Sequence, residues 1–424
     1  LRTILLAFKD IDAIQIGDDF DELQLINSLV MIGMVGIEDP LRPDVPEAIK
    51  MCNRAGITVR MVTGDNLITA KAIASKCGII TGEKYELILD SQKFNQLIRD
   101  KKGNFDQDLF DKVWPKLKVL ARSSPSDKYV LVNGILNTNL PEKQIVAVTG
   151  DGTNDAPALK RADVGFAMGL TGTDIAKEAC DIIITDDNFS NIVKAICWGR
   201  NVYDSISKFI QFQLTVNFSA ILLSIITPVF FDGNVFKASQ LLWVNLVMDT
   251  LASLALATDS PTPDLLNRKP YNRNKSLLSK NMCVFIAFHT FYQVTVILII
   301  VFLGPTLFSF DNEFYLNHYL ETIGSATINT SHTTFIFNIF VIMQIFNEIN
   351  ARKVHGERNV FSNIFVNKIF IAIILLTICV QVLIIQFGYG LFHVVPLSPE
   401  LWMYSILIGF SVLIYHQLVV INVP

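Results

Sequence analysis

Charge is scarce in this sequence. Asp, Glu, Lys and Arg make up 17% of the 424 residues, against 51% hydrophobic residues and a mean hydropathy of +0.42. That balance excludes an ordinary soluble globular protein and points to a membrane protein. The net charge of -4 gives no reason to expect nucleic acid as a partner. Paired cysteines are lacking too. Cys52, Cys77, Cys180, Cys197, Cys283 and Cys379 show no CxxC or other paired spacing, which excludes a disulfide framework and reads as reduced thiols. No signal sequence opens the chain, and it begins at Leu1 rather than Met, so a truncated chain is expected.

The scarcity of charge is uneven. Charges are dense up to about Arg200 and sparse afterwards, so a soluble half precedes a membrane half. In the soluble half, Ile145 to Val148 reads as a short buried strand, Thr149-Gly150-Asp151-Gly152 as a turn, and Asp155 to Leu159 as the start of a helix. Asp151 and Asp155 therefore sit just beyond a strand end, where ligands bind in a parallel α/β sheet. Hard carboxylate oxygens there suit Mg²⁺ with a phosphate beside it. The same order recurs twice: a strand at Thr58–Val62 leads to Thr63-Gly64-Asp65-Asn66 and a helix over Leu67–Cys77, and a strand at Lys118–Ala121 leads to Arg122–Lys128 and a helix from Tyr129. Alternating strands and helices predict one doubly wound parallel sheet. Its carboxyl edge would gather Thr63, Gly64, Asp65, Lys128, Asp151, Asn154 and Asp155. Phosphoryl transfer depends mainly on positioning and charge stabilisation. Lys128 can neutralise a phosphoryl oxygen, Thr63 can donate to it, Asp151 can hold Mg²⁺, and Asp155 can hold the metal's waters or brace the loop. Upstream, three prolines in the seven residues Pro40 to Pro46 predict a stiff connection that presents Arg42.

The membrane half contains six apolar segments: Phe209–Phe231, Ser239–Ala257, Val284–Leu303, Thr333–Phe346, Ile369–Phe387 and Leu401–Val420. Most approach the ~20 residues that cross a bilayer; the fourth is short unless it extends towards Ile349. Lys and Arg are absent from the loops Pro305–Thr334 and Gly388–Glu400. They cluster between the second and third spans (Arg268, Lys269, Arg273, Lys275, Lys280) and between the fourth and fifth (Arg352, Lys353, Arg358, Lys368). The positive-inside rule then places the soluble half and the C-terminus in the cytosol. Little breaks a helix between Asn191 and Pro228, so a continuous stalk into the first span is expected, a rod able to couple phosphorylation to helix movement. In the second span an Asp costs about 2.5–3.5 kcal/mol at mid-membrane, which marks Asp249 as functional. Asn245 and Asp249 are i, i+4 and are expected to share a helix face, part of an oxygen cage for a hard cation such as Ca²⁺. Asn329-Thr330-Ser331 is an external glycosylation sequon, whereas those at Asn188 and Asn217 should be unused.

Thr149–Asp155 with Ala162-Asp163-Val164-Gly165 resembles the TGDGxND motif of the P-type ATPases, and Asp39-Pro40-Leu41-Arg42 resembles their DPxR hinge. WVNLVMDTLASLALATDSPTPDLLNRKPYNRNKSLLS and FNEINARKVHGERNVFSNIF are similar to the plasma-membrane type of calcium-pumping P-type ATPase, across essentially the whole chain. The resemblance implies the edge of a nucleotide-binding domain at 1–36, a HAD-like (Rossmann-like) α/β phosphorylation domain at 37–190, and an all-α region of stalk and six transmembrane helices at 191–424. It implies Mg²⁺, ATP and transported Ca²⁺, nucleotide contacts from Arg42, Thr63, Gly64, Asp65 and Lys128, Mg²⁺ at Asp151 and Asp155, and Ca²⁺ at Asn217, Asn245 and Asp249. Ala220 stands where calcium pumps of the reticulum type carry a Glu, a departure that suits the plasma-membrane type and one Ca²⁺ per cycle. The family's phosphorylated Asp lies in a DKTG string, and none occurs here. The nucleophile, most of the nucleotide-binding domain, the actuator domain and four membrane helices are expected before Leu1, so this chain alone should not turn over.

The implied setting is a lipid bilayer, at the plasma membrane or a vacuolar or other internal store. The implied partners are the remainder of the pump and calmodulin or a small membrane regulator, although no basic calmodulin-binding tail follows the last span. A pump for another cation and a non-catalytic regulatory subunit are the rival readings.

Overall fold

The computed structural model describes residues 2–10, 28–37, 40–83, 85–230, 234–308, 330–354, 357, 359–362 and 364–422. Asp39 of the expected hinge, much of the lead-in, Asn329 of the sequon and most of the Pro305–Thr334 loop lie outside them. Two compact units form. The first comprises Leu1–Ala195 with Leu266–Asn274, and the second Ile196–Leu265 with Lys275–Pro424.

In the first unit, β1 (Arg2–Phe8) and β2 (Val30–Ile37) pair antiparallel. The α/β body follows: α1 (Val45–Arg54), β3 (Met61–Val62), α2 (Leu67–Cys77), β4 (Leu87–Asp90), α3 (Ser91–Leu97), α4 (Gln107–Val113), β5 (Leu117–Ala121), α5 (Pro125–Leu136), β6 (Ala147–Gly150), α6 (Ala156–Arg161), β7 (Val164–Met168), α7 (Asp174–Ala179) and β8 (Ile182–Ile184). The strands are parallel, as alternation predicts, but they form two three-stranded sheets instead of one. Their orders are β3-β5-β4 and β6-β7-β8. β3 and β6 each end a sheet, and only two residues of the expected Thr58–Val62 strand pair. β4, α3 and α4 had no counterpart in the sequence reading. They supply the apolar floor under β5: Phe94, Ile98, Phe110 and Trp114 bury with Leu117, Leu120, Leu131 and Ile135.

Local chemistry sets the helix ends. Asn66 accepts from Thr69 N at 2.9 Å and caps α2, which stops at Gly78 in the left-handed region (φ 78°), where a side chain would be strained. Ser124 and Asp127 close a capping box over α5, with Pro125 in the first turn, where its missing N–H costs nothing.

The second unit is helical. α8 (Ser190–Phe230) begins in the first unit and runs 41 residues without a break, as expected of the stalk. Then come α9 (Ala238–Leu242), a π-helical turn (Trp243–Met248), α10 (Asp249–Ala257), α11 (Lys280–Leu307), α12 (Thr330–Ala351), α13 (Lys368–Phe387), α14 (Tyr389–Phe392) and α15 (Pro399–Asn422). Among the described residues, six helical stretches are long and apolar enough to cross a membrane: 190–230, 238–257, 280–307, 331–351, 368–387 and 399–419. The fourth does extend past Ile349. It is the most enclosed of the six and the least apolar, because Asn338, Gln344, Asn347, Glu348 and Asn350 all lie inside.

Candidate functional sites

In the first unit, backbone hydrogen bonds lace two strand-end loops together. Arg122 N donates to Asp65 O at 2.8 Å, Ser123 N to Thr63 O at 2.9 Å, and Ser123 Oγ to the same carbonyl at 3.0 Å. Thr63 Oγ1 accepts from Asp65 N at 3.1 Å, which keeps its own hydroxyl proton free to point outward. Asp127 fixes the start of α5. It is 5% exposed and accepts from Ser91 Oγ (2.7 Å), Asn95 Nδ2 (2.7 Å), Ser124 N (2.9 Å) and Ser124 Oγ (2.7 Å). Burial pushes its pKa up, but the Ser91, Asn95 and Ser124 donors outweigh this and hold it below the ordinary 3.8.

That anchor aims Lys128, the next residue, at the loop after β6. Lys128 Nζ meets Asp155 Oδ1 at 2.6 Å, with the two side chains 19% and 14% exposed. Asp155 Oδ2 also accepts from Gly152 N at 3.4 Å. Of the two roles expected for Asp155, the arrangement supplies the brace. Gly150 is required by this contact, since a Cβ there would stand 2.5 Å from Asp155 Cβ. Asp151 is held by its backbone, whose carbonyl accepts from Thr173 N at 2.8 Å, while its carboxylate is exposed and makes no hydrogen bond among the described residues. Asn154 is exposed beside it. Arg42 donates one N–H to the carbonyl of Asp187, whose carboxylate in turn accepts from Leu170 N (2.9 Å) and Thr171 N (2.7 Å).

Replacing Asp127 by Ala should therefore lower the stability of the soluble unit by about 2–4 kcal/mol, since four hydrogen bonds and a cap go together. The wild-type contribution is fully present above pH 3.8 and is lost as pH falls through the depressed folded value. Thermal unfolding followed between pH 7 and 2 should show the two proteins converging only at the acid end. A constant difference down to pH 2 would contradict this account.

In the second unit, the expected shared face of Asn245 and Asp249 does not form. Asp249 is buried (3% exposed), but Asn245 is exposed, and Val244 takes the buried position instead. The cause is the π turn. Asp249 N–H bonds to Val244 O, five residues back, so the helix winds more slowly and the i, i+4 register slips by one. Both Asp249 oxygens are buried without a hydrogen bond, and Gln213 of α8 approaches the carboxylate. Asn217, one turn beyond Gln213, is half-buried. Deeper in the bundle, Gln293 Oε1 accepts from Ser219 Oγ and Gln344 Nε2, both at 2.9 Å. At one end Asp259 is neutralised by Lys208 (2.8 Å) and Arg352 (3.4 Å), with Asn367 donating at 2.9 Å. Burial raises its pKa, but Lys208, Asn367 and Arg352 together hold it low.

Comparison with known proteins decides the family. Residues 233–421 match the family model "Cation transporting ATPase, C-terminus", and residues 8–163 match "haloacid dehalogenase-like hydrolase". The chain is 56% identical over 421 residues to plasma membrane calcium-transporting ATPase 1 of Mus musculus, covering 99% of this chain and 34% of that protein. It is 55% identical over 420 residues to plasma membrane calcium-transporting ATPase 3 of Rattus norvegicus (99% and 33%), and 54% identical over 420 residues to plasma membrane calcium-transporting ATPase 2 of Oreochromis mossambicus (99% and 37%). This chain belongs to the plasma-membrane calcium-transporting ATPase family. It spans about a third of the length of these relatives.

Within this family member, Thr63, Asp65, Lys128, Asp151 and Asp155 lie on loops that hydrogen bonds or an ion pair join. Asn245 is the residue whose surroundings differ. Glu348 lies within the extension towards Ile349 that the fourth span needs, but nothing in the sequence singles it out as a site residue. Its 2% exposure on a helix that continues to Ala351 was legible only in the structure.

Proposed function

We propose that this chain forms the carboxyl-terminal part of an ATP-driven pump that moves Ca²⁺ out of the cytosol through an aspartyl-phosphate intermediate. The observation that carries this reading is a buried, unpartnered carboxylate at Asp249 in a membrane-length segment, within a chain at least 54% identical to plasma membrane calcium-transporting ATPases. Ca²⁺ as cargo would be held at Asp249, with Asn217 nearby on α8. Asn245 would join them if the π turn relaxed to α-helical winding, which would restore the shared face. On the soluble unit, Arg42, Thr63, Gly64, Asp65 and Lys128 would orient nucleotide phosphates.

The residues at the β6 loop fit Mg²⁺: Asp151 presents a free carboxylate on a loop pinned by the Lys128–Asp155 pair, and Mg²⁺ commonly uses one or two carboxylates plus phosphate oxygens. Bound there, Mg²⁺ would offset charge on the phosphoryl oxygens. Asp155, already paired with Lys128, would keep that loop in place. The positive-inside pattern supports a cytosolic soluble half.

The test is Ca²⁺ uptake by vesicles containing the full-length protein. ATP-dependent ⁴⁵Ca²⁺ accumulation is expected, with its rate reduced about a hundredfold by Asp151→Asn. Phosphoenzyme formation that ignores Ca²⁺ and responds to another cation would overturn the reading.

A further inference from the structure

Among the described residues, three sets of buried ionisable groups in the helical unit stand out once Asp249 is set aside. His289 and His416 face each other, Nε2 to Nδ1 at 3.3 Å, and offer two nitrogens with no oxygen donor in the pair. Asp259 is neutralised by Lys208 and Arg352. Glu348 differs from both. It is 2% exposed on α12, its Oε1 has no hydrogen-bond partner, and among the described residues no Lys, Arg or His pairs with it. Arg352, just past the end of α12, is taken by Asp259 and lies over the ring of Phe370.

The ionisable group whose charge bears on Glu348 is another acid. The Glu348 carboxylate interacts electrostatically with that of Asp249, whose two oxygens are equally unpartnered. Buried like charges without a counter-charge are a costly arrangement, several kcal/mol per ion, and a fold that retains them needs something that offsets the cost. One divalent cation carries the charge that two carboxylates lack. Besides the two acids, the buried oxygen acceptors without a partner on α12 include Gln344 Oε1, one turn before Glu348, and Asn347 Oδ1. Oxygen-only donors select hard cations over zinc or copper. Among the described residues no three His, Cys, Asp or Glu side chains are grouped for a metal, so the further donors that this chain itself can offer are amide oxygens.

We propose that Glu348 is a second carboxylate ligand of the intramembrane cation site, binding the same divalent ion as Asp249 from helix α12. This rests on the reading of Asp249 as the Ca²⁺ site. Glu348 then ties α12 to α10 whenever the ion is bound, and the ion's departure leaves both acids to be re-accommodated.

The experiment is ⁴⁵Ca²⁺ binding and Ca²⁺-activated phosphoenzyme formation by the full-length protein in membranes, comparing Glu348→Gln, Glu348→Asp and Asp249→Asn. Glu348→Gln should raise the half-saturating Ca²⁺ concentration about tenfold or more, because affinity follows the number of charged ligands. Glu348→Asp, which keeps the charge, should recover part of the loss. A half-saturation unchanged within about twofold in Glu348→Gln, while Asp249→Asn abolishes binding, would overturn the proposal and leave the Ca²⁺ reading intact. Unchanged binding in Asp249→Asn would instead remove the premise. If Glu348→Gln fails to accumulate, Ca²⁺-induced protection of Glu348→Asp against thermal unfolding gives the same decision: reduced protection supports ligation, and full protection refutes it.

Discussion

Exchanging Asp249 for Asn should abolish Ca²⁺-dependent phosphorylation of the full-length protein at physiological Ca²⁺. The half-saturating concentration should rise about a hundredfold or more, equivalent to roughly 2.8 kcal/mol of binding energy. The size of the effect follows from the setting. Asp249 is 3% exposed, Gln213 is the side chain that approaches its carboxylate, and among the described residues no cationic side chain pairs with the charge that is removed. An exposed carboxylate would lose far less, because water already shares its interactions. The same substitution should not lower the thermal stability of the Ca²⁺-free protein, and should raise it if anything, since it removes an ionisable group that burial penalises. Lost Ca²⁺ activation together with preserved or higher unfolding temperature is the signature of a ligand. Loss of both would mark Asp249 as a structural group that holds helices together. Phosphoenzyme formation with wild-type Ca²⁺ dependence would reject the site assignment.

The limits of the sequence are visible in this same span. Apolar length fixed six segments close to their observed places, because a bilayer-spanning helix depends on one summed property of about 20 residues. A face assignment depends on winding. The step from Asn245 to Asp249 assumed 3.6 residues per turn, and one inserted π turn moves Asn245 off the buried side. Nothing in Trp243–Met248 announces that insertion. Glu348 was hidden for a related reason: a helix enclosed by other helices can carry buried amides and an acid, so hydropathy underestimates its length. In the soluble unit the order of strand, turn and helix around Thr149–Asp155 was legible, since glycine and aspartate permit few alternatives there, but the strand is Ala147–Gly150 instead of a buried Ile145–Val148, and Ile145 and Ala147 are exposed. The partner of Asp155 was not legible. It depends on Asp127 capping α5 so that Lys128 faces the β6 loop, and this combines a local motif with a contact 27 residues away.

Lys128 consequently has two candidate duties, and they predict different results. As a brace it neutralises Asp155 at 2.6 Å and keeps the Asp151 loop in position. As a charge donor it stabilises negative phosphoryl oxygens, the kind of contact whose removal costs on the order of 10²–10³ in rate. Lys128→Met should lower the rate of phosphoenzyme formation by that factor. It should also destabilise the soluble unit by about 1–3 kcal/mol, because Asp155 is left partly buried and unpaired. Asp155→Leu alone should give a similar loss of stability. The double variant separates the duties: with both charges gone, stability should recover by about 1 kcal/mol or more relative to the sum of the single changes. If Lys128 only braces, the rate should recover with it. If Lys128 meets the phosphoryl group, the double variant should be as slow as Lys128→Met, since no repair of the loop replaces a missing positive charge. The pairing seen here makes both duties compatible, because a lysine partly compensated by Asp155 is already oriented and desolvated before phosphate arrives. The slow double variant is therefore the expected result.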